Sequence, residues 1–251
     1  MRWKKGSVFL IIIWAVLTVA GIAVAMAVEI FPSPASQEAH VIDDAMTLLA
    51  VLSVPVFTMV LVLLVYSAIR FRQRGEPTED GPPVGGNRPL EITWLSVTLA
   101  LTLYLAWYGA QGLMEIRGHG AEAARHEELV IEAKGNQWFW EFYYPEQGIR
   151  IKEKEQLYLP VGSRVRFEIT AVDVLHSFWV PAFRTKIDAV PGLVTTVYAT
   201  PDRTGDFQKD YNFRVQCAEL CGLGHAVMAT PVVVVESSEF QAWVDQHKTK
   251  K

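Results

Sequence analysis

The sequence predicts a membrane-anchored all-β protein: N-terminal transmembrane helices, then a β-barrel or sandwich domain. Three observations carry that expectation. Long uncharged apolar stretches dominate the first 113 residues, and short β-branched and aromatic runs fill the rest. The only two cysteines lie four residues apart in the second half, beside a histidine and a methionine. A chain of 251 residues has room for an anchor and a small domain.

Val8 to Val28 is an uncharged apolar stretch of 21 residues, and Ala45 to Ile69 and Ile92 to Leu113 are two more. A spanning helix needs roughly 20 such residues, so each is long enough. Arg2, Lys4 and Lys5 precede the first stretch. Glu29, Glu38, Asp43 and Asp44 follow it, and Arg70, Arg72, Arg74 and Arg88 separate the second from the third. By the positive-inside rule the N-terminus and the 70–90 loop face the cytoplasm, and the region after Gly112 emerges outside. The expected order is a signal peptide or additional transmembrane helix over 1–28 and an extracytoplasmic segment over 29–44. A transmembrane helix over 45–69, a cytoplasmic loop over 70–90, a transmembrane helix over 91–113 and an extracytoplasmic domain over 114–251 follow.

The first stretch reads two ways. Its basic start and Ala23, Ala25 and Ala27 suit cleavage after Ala27. Its apolar core exceeds the usual length of about 7–15 residues for a secretory signal, which favours a retained anchor. No cysteine follows it, so a lipid-modified N-terminus is not expected. Residues 75–89 form a Pro/Gly-rich connector that cannot be helical throughout.

From Glu127 onward the pattern changes to strands. Leu129 to Glu132, Trp138 to Tyr144, Leu157 to Leu159, Val165 to Val172, Val194 to Ala199, Tyr211 to Val215 and Pro231 to Val235 are short and separated by Gly and Pro clusters. Ser238-Glu239-Phe240-Gln241 reads as a capping box opening a C-terminal helix.

The run from Cys217 to Met228 gathers Cys217, Cys221, His225 and Met228. Thiolate and thioether select copper, zinc or iron–sulfur, and imidazole narrows the choice toward copper or zinc. A disulfide would explain the cysteines in an extracytoplasmic domain. It would leave His225 and Met228 without a reason. Zinc would not need the methionine, and the spacing is wrong for a Cys-x-x-Cys-His haem site. Two thiolates four residues apart suit a pair of bridged copper ions. His176, after the strand-like run Arg164 to Val172, is the candidate further ligand, presented at a strand-to-loop corner. A histidine among apolar residues is otherwise more often packing. His40, His119, His126 and His247 read as solvated.

With Leu90-Glu91-Ile92-Thr93-Trp94, Gln137-Trp138-Phe139-Trp140, Asp173 to Pro181, Lys186 to Gly192 and the cysteine loop in view, the chain resembles subunit II of the haem–copper cytochrome c oxidases. That resemblance implies a cupredoxin-like Greek-key domain and a binuclear copper centre, CuA. Cys217 and Cys221 would bridge the coppers, His176 and His225 would each cap one, and Met228 and the backbone carbonyl of Glu219 would be weaker axial ligands. The Glu219 side chain would reach a magnesium or manganese ion shared with subunit I. Trp138 would be the surface residue where electrons arrive from cytochrome c, with strand packing as its bland alternative. Trp140, two residues on, would share its face and could be core. Glu91 would mark the entrance of a proton pathway into subunit I, against a plain helix-terminal charge. Asn136 and Leu193 replace residues common in the family, so any role of the usual arginine at the latter position does not carry over.

The implied function is transfer of electrons from cytochrome c through CuA to haem in subunit I. Oxygen reduction and proton translocation would occur there, within a complex of the inner (cell) membrane that includes subunit III and lipid. A quinol oxidase subunit would lack the copper ligands. Nitrous oxide reductase would need a further copper domain, while a CuA-bearing subunit of a nitric oxide reductase-type complex stays open. A copper chaperone fits bridging thiolates less well, since they retain metal. Residues 110–251 hold 16 Lys+Arg against 19 Asp+Glu, so the domain lacks the basic excess of a nucleic-acid partner.

Overall fold

A computed structural model describes residues 2–72, 75, 85–123, 128–152 and 155–248. They fall into two compact units, one of Met1–Ile30 with Asp44–Gly112, the other of Phe31–Asp43 with Leu113–Lys251. Most of the connector expected over 75–89 lies outside the described residues, as does His126.

The first unit holds helix α1 (Arg2–Ala27) and most of α2 (Gln37–Arg70) and α3 (Arg88–Ala123), the first turns of α2 and the last turns of α3 belonging to the second. All three contain stretches long and apolar enough to cross a membrane. Two boundaries differ from expectation: α2 begins at Gln37 rather than Ala45, and α3 runs on to Ala123 rather than ending at Leu113. Apolar length reports what lipid must cover, whereas a helix continues as long as its backbone bonds do. Pro55 interrupts the bond ladder inside α2. Thr58 Oγ1 donates to the carbonyls of Val54 and Pro55, and Trp14 Nε1 of α1 donates to Pro55 O at 2.8 Å. In lipid such side-chain donors replace the water that loosened carbonyls would otherwise find. Thr18 and Thr58 hydroxyls meet at 2.8 Å, and Gly21 lies so close to Val54 that a Cβ would stand 2.7 Å from its methyl.

The second unit is a two-sheet β-sandwich. Its strands are β1 (Leu129–Asn136), β2 (Phe139–Tyr144), β3 (Ile149–Ile151), β4 (Leu157–Pro160), β5 (Val165–Ala171), β6 (His176–Val180), β7 (Thr185–Ala189), β8 (Thr195–Ala199), β9 (Gly205–Asp206), β10 (Arg214–Cys217) and β11 (Ala229–Val235). Helix α4 (Ser237–Lys248) closes the chain. One sheet runs β3-β2-β1-β5-β8; the other runs β4-β11-β10-β6-β7, with β9 on β11. The pairs β1–β5 and β4–β11 are parallel and the other paired strands antiparallel. Strict alternation of burial along β1 and β5 turns Ile131, Ala133, Phe167 and Ile169 inward. Trp140, Phe142, Phe178 and Val215 fill the space between the sheets.

The observed strands overlap the seven expected ones, except that the strand expected over Tyr211 to Val215 begins only at Arg214 and runs to Cys217, and they add β3, β6, β7 and β9. Helix α4 starts at Ser237, one residue before the expected cap. Its Trp243 stacks on Tyr158 at 5.0 Å, and His247, expected to be solvated, donates its Nδ1–H to Trp243 O at 2.8 Å and packs on that ring. Tyr144 is fully buried and donates to Tyr158 O, and burial pushes its phenol well above the ordinary range.

Residues 31–43, within the segment expected to be extracytoplasmic over 29–44, belong to the β-unit. Ala35 and Ala39 are fully buried, and Ser36 bridges to Pro201. Glu38, only 2 % exposed, accepts from the Thr200 N–H at 2.8 Å and its hydroxyl at 2.9 Å. Arg184 forms a two-pronged ion pair with Asp43, 2.7 Å on each prong, and also donates to Pro32 O. Arg203 donates to Pro34 O and Ser33 O while pairing with Asp210. His40, exposed as expected, sits 2.7 Å from Asp202.

Candidate metal centre

The donor atoms of the loop are delivered by one hairpin and one strand start. Cys217 is the last residue of β10, Met228 immediately precedes β11, and Cys217 N–H donates to Met228 O at 3.0 Å, closing the loop at its base. His225 opens a short 3-10 turn whose N–H bonds reach back to Gly222 and Gly224. Ala218 N–H donates to Ser177 O, which ties the loop to β6. His176 is the first residue of β6 rather than the end of the preceding run, a correction to the expected corner. Its ring is fully buried against Trp140, and Gly135 of β1 makes room, since a Cβ there would stand 2.8 Å from His176 Cδ2.

The donor atoms converge. His176, Cys217 and Cys221 bring their ligand atoms within 4.8 Å of one another. The two Sγ atoms are 3.7 Å apart and unbonded. On one side Cys217 Sγ has His176 Nδ1 at 3.8 Å and Glu219 O at 3.2 Å. On the other Cys221 Sγ has His225 Nδ1 at 3.7 Å and Met228 Sδ at 3.9 Å. Each sulfur is therefore flanked by one imidazole and one weaker donor. This two-halved set of soft ligands fits copper, and it uses the buried Met228 that a zinc site would leave idle.

The surroundings orient the ligands. Asp173 Oδ1 lies 2.8 Å from His176 Nε2, which leaves Nδ1 to face the sulfur. A carboxylate on the far nitrogen of a ligating histidine fixes the ring and raises its basicity. Burial opposes ionisation of Asp173, but hydrogen bonds from His176, Gln137 N–H and Val174 N–H outweigh it and hold the carboxyl below its ordinary value. Burial, with Cys217 beside it, pushes the metal-free Cys221 thiol up to about 11. A bound cation reverses that bias by stabilising the thiolate.

Trp138 is 38 % exposed, and its indole N–H donates to Cys221 O at 3.2 Å. Trp140 is 1 % exposed and packs against Phe178. The expected shared face does not hold, because β2 starts only at Phe139. The Glu219 side chain is exposed. Glu91 belongs to the helical unit, apart from this loop: its carboxylate accepts from Asn87 N–H at 3.0 Å while Asn87 Oδ1 accepts from Leu90 N–H. That is a reciprocal cap on α3. Reasoning from the sequence missed Asp173 and Gln137. The one usable signal was an acidic residue three positions ahead of a proposed ligand.

The family model for the periplasmic domain of cytochrome c oxidase subunit II matches residues 147–237. A curated relative, cytochrome c oxidase subunit 2 of Alkalihalophilus pseudofirmus, is 33 % identical over 97 % of this chain and 69 % of its own length. The Thermostichus vulcanus protein of the same name is 28 % identical over 87 % of this chain and 79 % of its own. Among solved structures, the periplasmic domain of cytochrome oxidase subunit II from Bradyrhizobium japonicum is 35 % identical, covering 49 % of this chain and 94 % of that one with a TM-score of 0.44.

Proposed function

Because the chain belongs to the cytochrome c oxidase subunit II family, we propose that it receives electrons from cytochrome c at a binuclear copper site and hands them to haem in subunit I. The observation that carries this is the pairing of each buried sulfur with an imidazole nitrogen and a weaker donor. His176, Cys217, Glu219 (through its carbonyl), Cys221, His225 and Met228 are the residues that would hold the copper. Copper bound there would supply one-electron chemistry.

The residues themselves do the rest. Asp173 sets the His176 ring, and the hairpin closed between Cys217 and Met228 holds both sulfurs and the thioether before metal arrives. Ligands held this way would need little reorganisation when the bound metal gains or loses an electron. Trp138 offers a π-system at the surface, bonded to a ligand's own carbonyl. Glu219 has a free-standing exposed carboxylate for a magnesium or manganese ion shared with subunit I. Glu91 stands at the basic, cytoplasmic side as the entrance to a proton path in the partner. The apolar helices α2 and α3, together with α1 where it is a retained helix rather than a cleaved signal peptide, anchor the chain in the cell membrane against subunits I and III, with the β-unit outside.

The test is metal loading of the purified chain. Two coppers per chain, a purple colour and an electron paramagnetic resonance signal from one electron delocalised over two nuclei are expected, and Cys217→Ser or Cys221→Ser abolishes all three. A colourless chain holding a Cys217–Cys221 disulfide under every reducing condition sinks the reading.

A further inference from the structure

Gln137 precedes the surface tryptophan and touches both halves of the site. Its backbone N–H donates to Asp173 Oδ2 at 2.7 Å, and its side-chain amide donates to Cys221 O at 2.7 Å. Asp173 turns its other oxygen to His176 Nε2 at 2.8 Å and to Val174 N–H at 2.7 Å. Cys221 O also receives the Trp138 N–H at 3.2 Å, so both acceptor positions of that carbonyl are used. Gly222 sits at φ +116°, and a Cβ there would stand 3.3 Å from Gln137 Nε2.

We propose that Gln137 is a positioning residue that locks the Cys221 half of the metal site to the His176 half, through the chain His176–Asp173–Gln137–Cys221. The inference rests on the copper reading of the same site. Gln137 is not a ligand, because its amide nitrogen donates protons and points at a carbonyl rather than at the sulfurs. It acts on geometry. The Cys221 sulfur follows its own backbone, so a carbonyl held by two donors keeps that sulfur at a set distance from Cys217 and His225. Removing outer partners of metal ligands costs roughly 10–100-fold in metal affinity.

The experiment uses the full chain in detergent, loaded with copper, as wild type and as Gln137→Ala, Gln137→Asn and Gln137→Glu. Every variant keeps the N–H to Asp173, so only the link to Cys221 changes. Alanine removes the donor, asparagine draws it back by one methylene, and glutamate sets an acceptor against an acceptor. Two coppers should still bind in each. Copper loss to a chelator should be faster by roughly 10-fold in Gln137→Ala, less so in Gln137→Asn, and fastest in Gln137→Glu at neutral pH. The copper–thiolate absorption and hyperfine splitting should shift in the same order. If Gln137→Ala fails to fold, the order of Gln137→Asn and Gln137→Glu decides the matter alone. Unchanged release rates and spectra across the series overturn the proposal. So does a loss confined to the unfolding temperature of the metal-free chain, which marks mere packing. A wild-type chain that binds no copper pair overturns the copper reading itself, and this inference with it.

Discussion

The indole N–H of Trp138 lies 3.2 Å from the carbonyl oxygen of Cys221, joining a surface aromatic to the backbone of a residue whose sulfur is buried in the site. Two glycines permit that contact. A Cβ on Gly224 would stand 2.4 Å from Trp138 Cγ, and one on Gly222 would stand 3.3 Å from Nε1. The ring therefore rests on bare backbone, and only a few bonds separate it from Cys221 Sγ.

Trp138→Ala should slow electron transfer from cytochrome c by more than about tenfold, equivalent to about 1.4 kcal/mol of barrier. Copper content and spectra should change little, since the ring ligates nothing. Gly224→Ala should produce a milder version by lifting the ring. Stopped-flow reduction with cytochrome c checks both, and unaltered rates in Trp138→Ala would reduce Trp138 to packing.

Glu91 has an observed task as a cap partner of Asn87 and a proposed one as a proton entrance. Glu91→Ala in the assembled complex should lower steady-state oxygen consumption while the first electron from cytochrome c still arrives at the normal rate. A cap alone would show only as lost stability of about 0.3–1 kcal/mol, with turnover per assembled enzyme intact. Measuring both rates on one preparation separates the two.

Glu38→Ala should destabilise the β-unit by about 1–3 kcal/mol, the usual cost of leaving a buried donor such as the Thr200 N–H without its partner. Thr200→Val, which keeps the N–H bond to Glu38 and loses only the hydroxyl, should cost less. Denaturant midpoints followed by tryptophan fluorescence measure the difference. Equal midpoints for wild type and Glu38→Ala would show that the 31–43 segment docks without contributing stability.

Asp210 predicts an acid limit. Burial opposes its ionisation, yet hydrogen bonds from Asn212 and Arg203 hold its carboxyl below the ordinary value in the folded chain. A depressed carboxylate stabilises the fold above its unfolded pKa, and that contribution fades as pH falls through the folded one. Stability should therefore drop below about pH 4, where unfolded aspartate begins to take up protons. As Asp210 neutralises, Arg203 loses its ion pair while still holding Pro34 O. Asp210→Asn should flatten the acid slope of the unfolding free energy, and an unchanged slope would contradict this.

The sequence by itself determined the parts whose signal is local. Apolar length and charge bias marked three membrane-competent helices, and period-two runs bounded by glycine and proline marked seven strands. The spacing of Cys217, Cys221, His225 and Met228 marked the metal loop because all four share one hairpin, where sequence distance limits spatial distance. Only the tertiary structure decided contacts between residues remote in the chain. It seated His176 between Gly135 and Trp140, aimed its Nδ1 at Cys217 through Asp173, and laid Trp138 on Gly224. It also showed that 31–43 is part of the β-unit, held by Thr200, Arg184 and Arg203. A charged, proline-containing segment such as Phe31–Asp43 carries no local sign of this docking because its partners lie some 140 to 170 residues away. Pairing over that distance is selected by the packed fold, through buried hydrogen bonds that leave no periodic trace in either partner's local sequence.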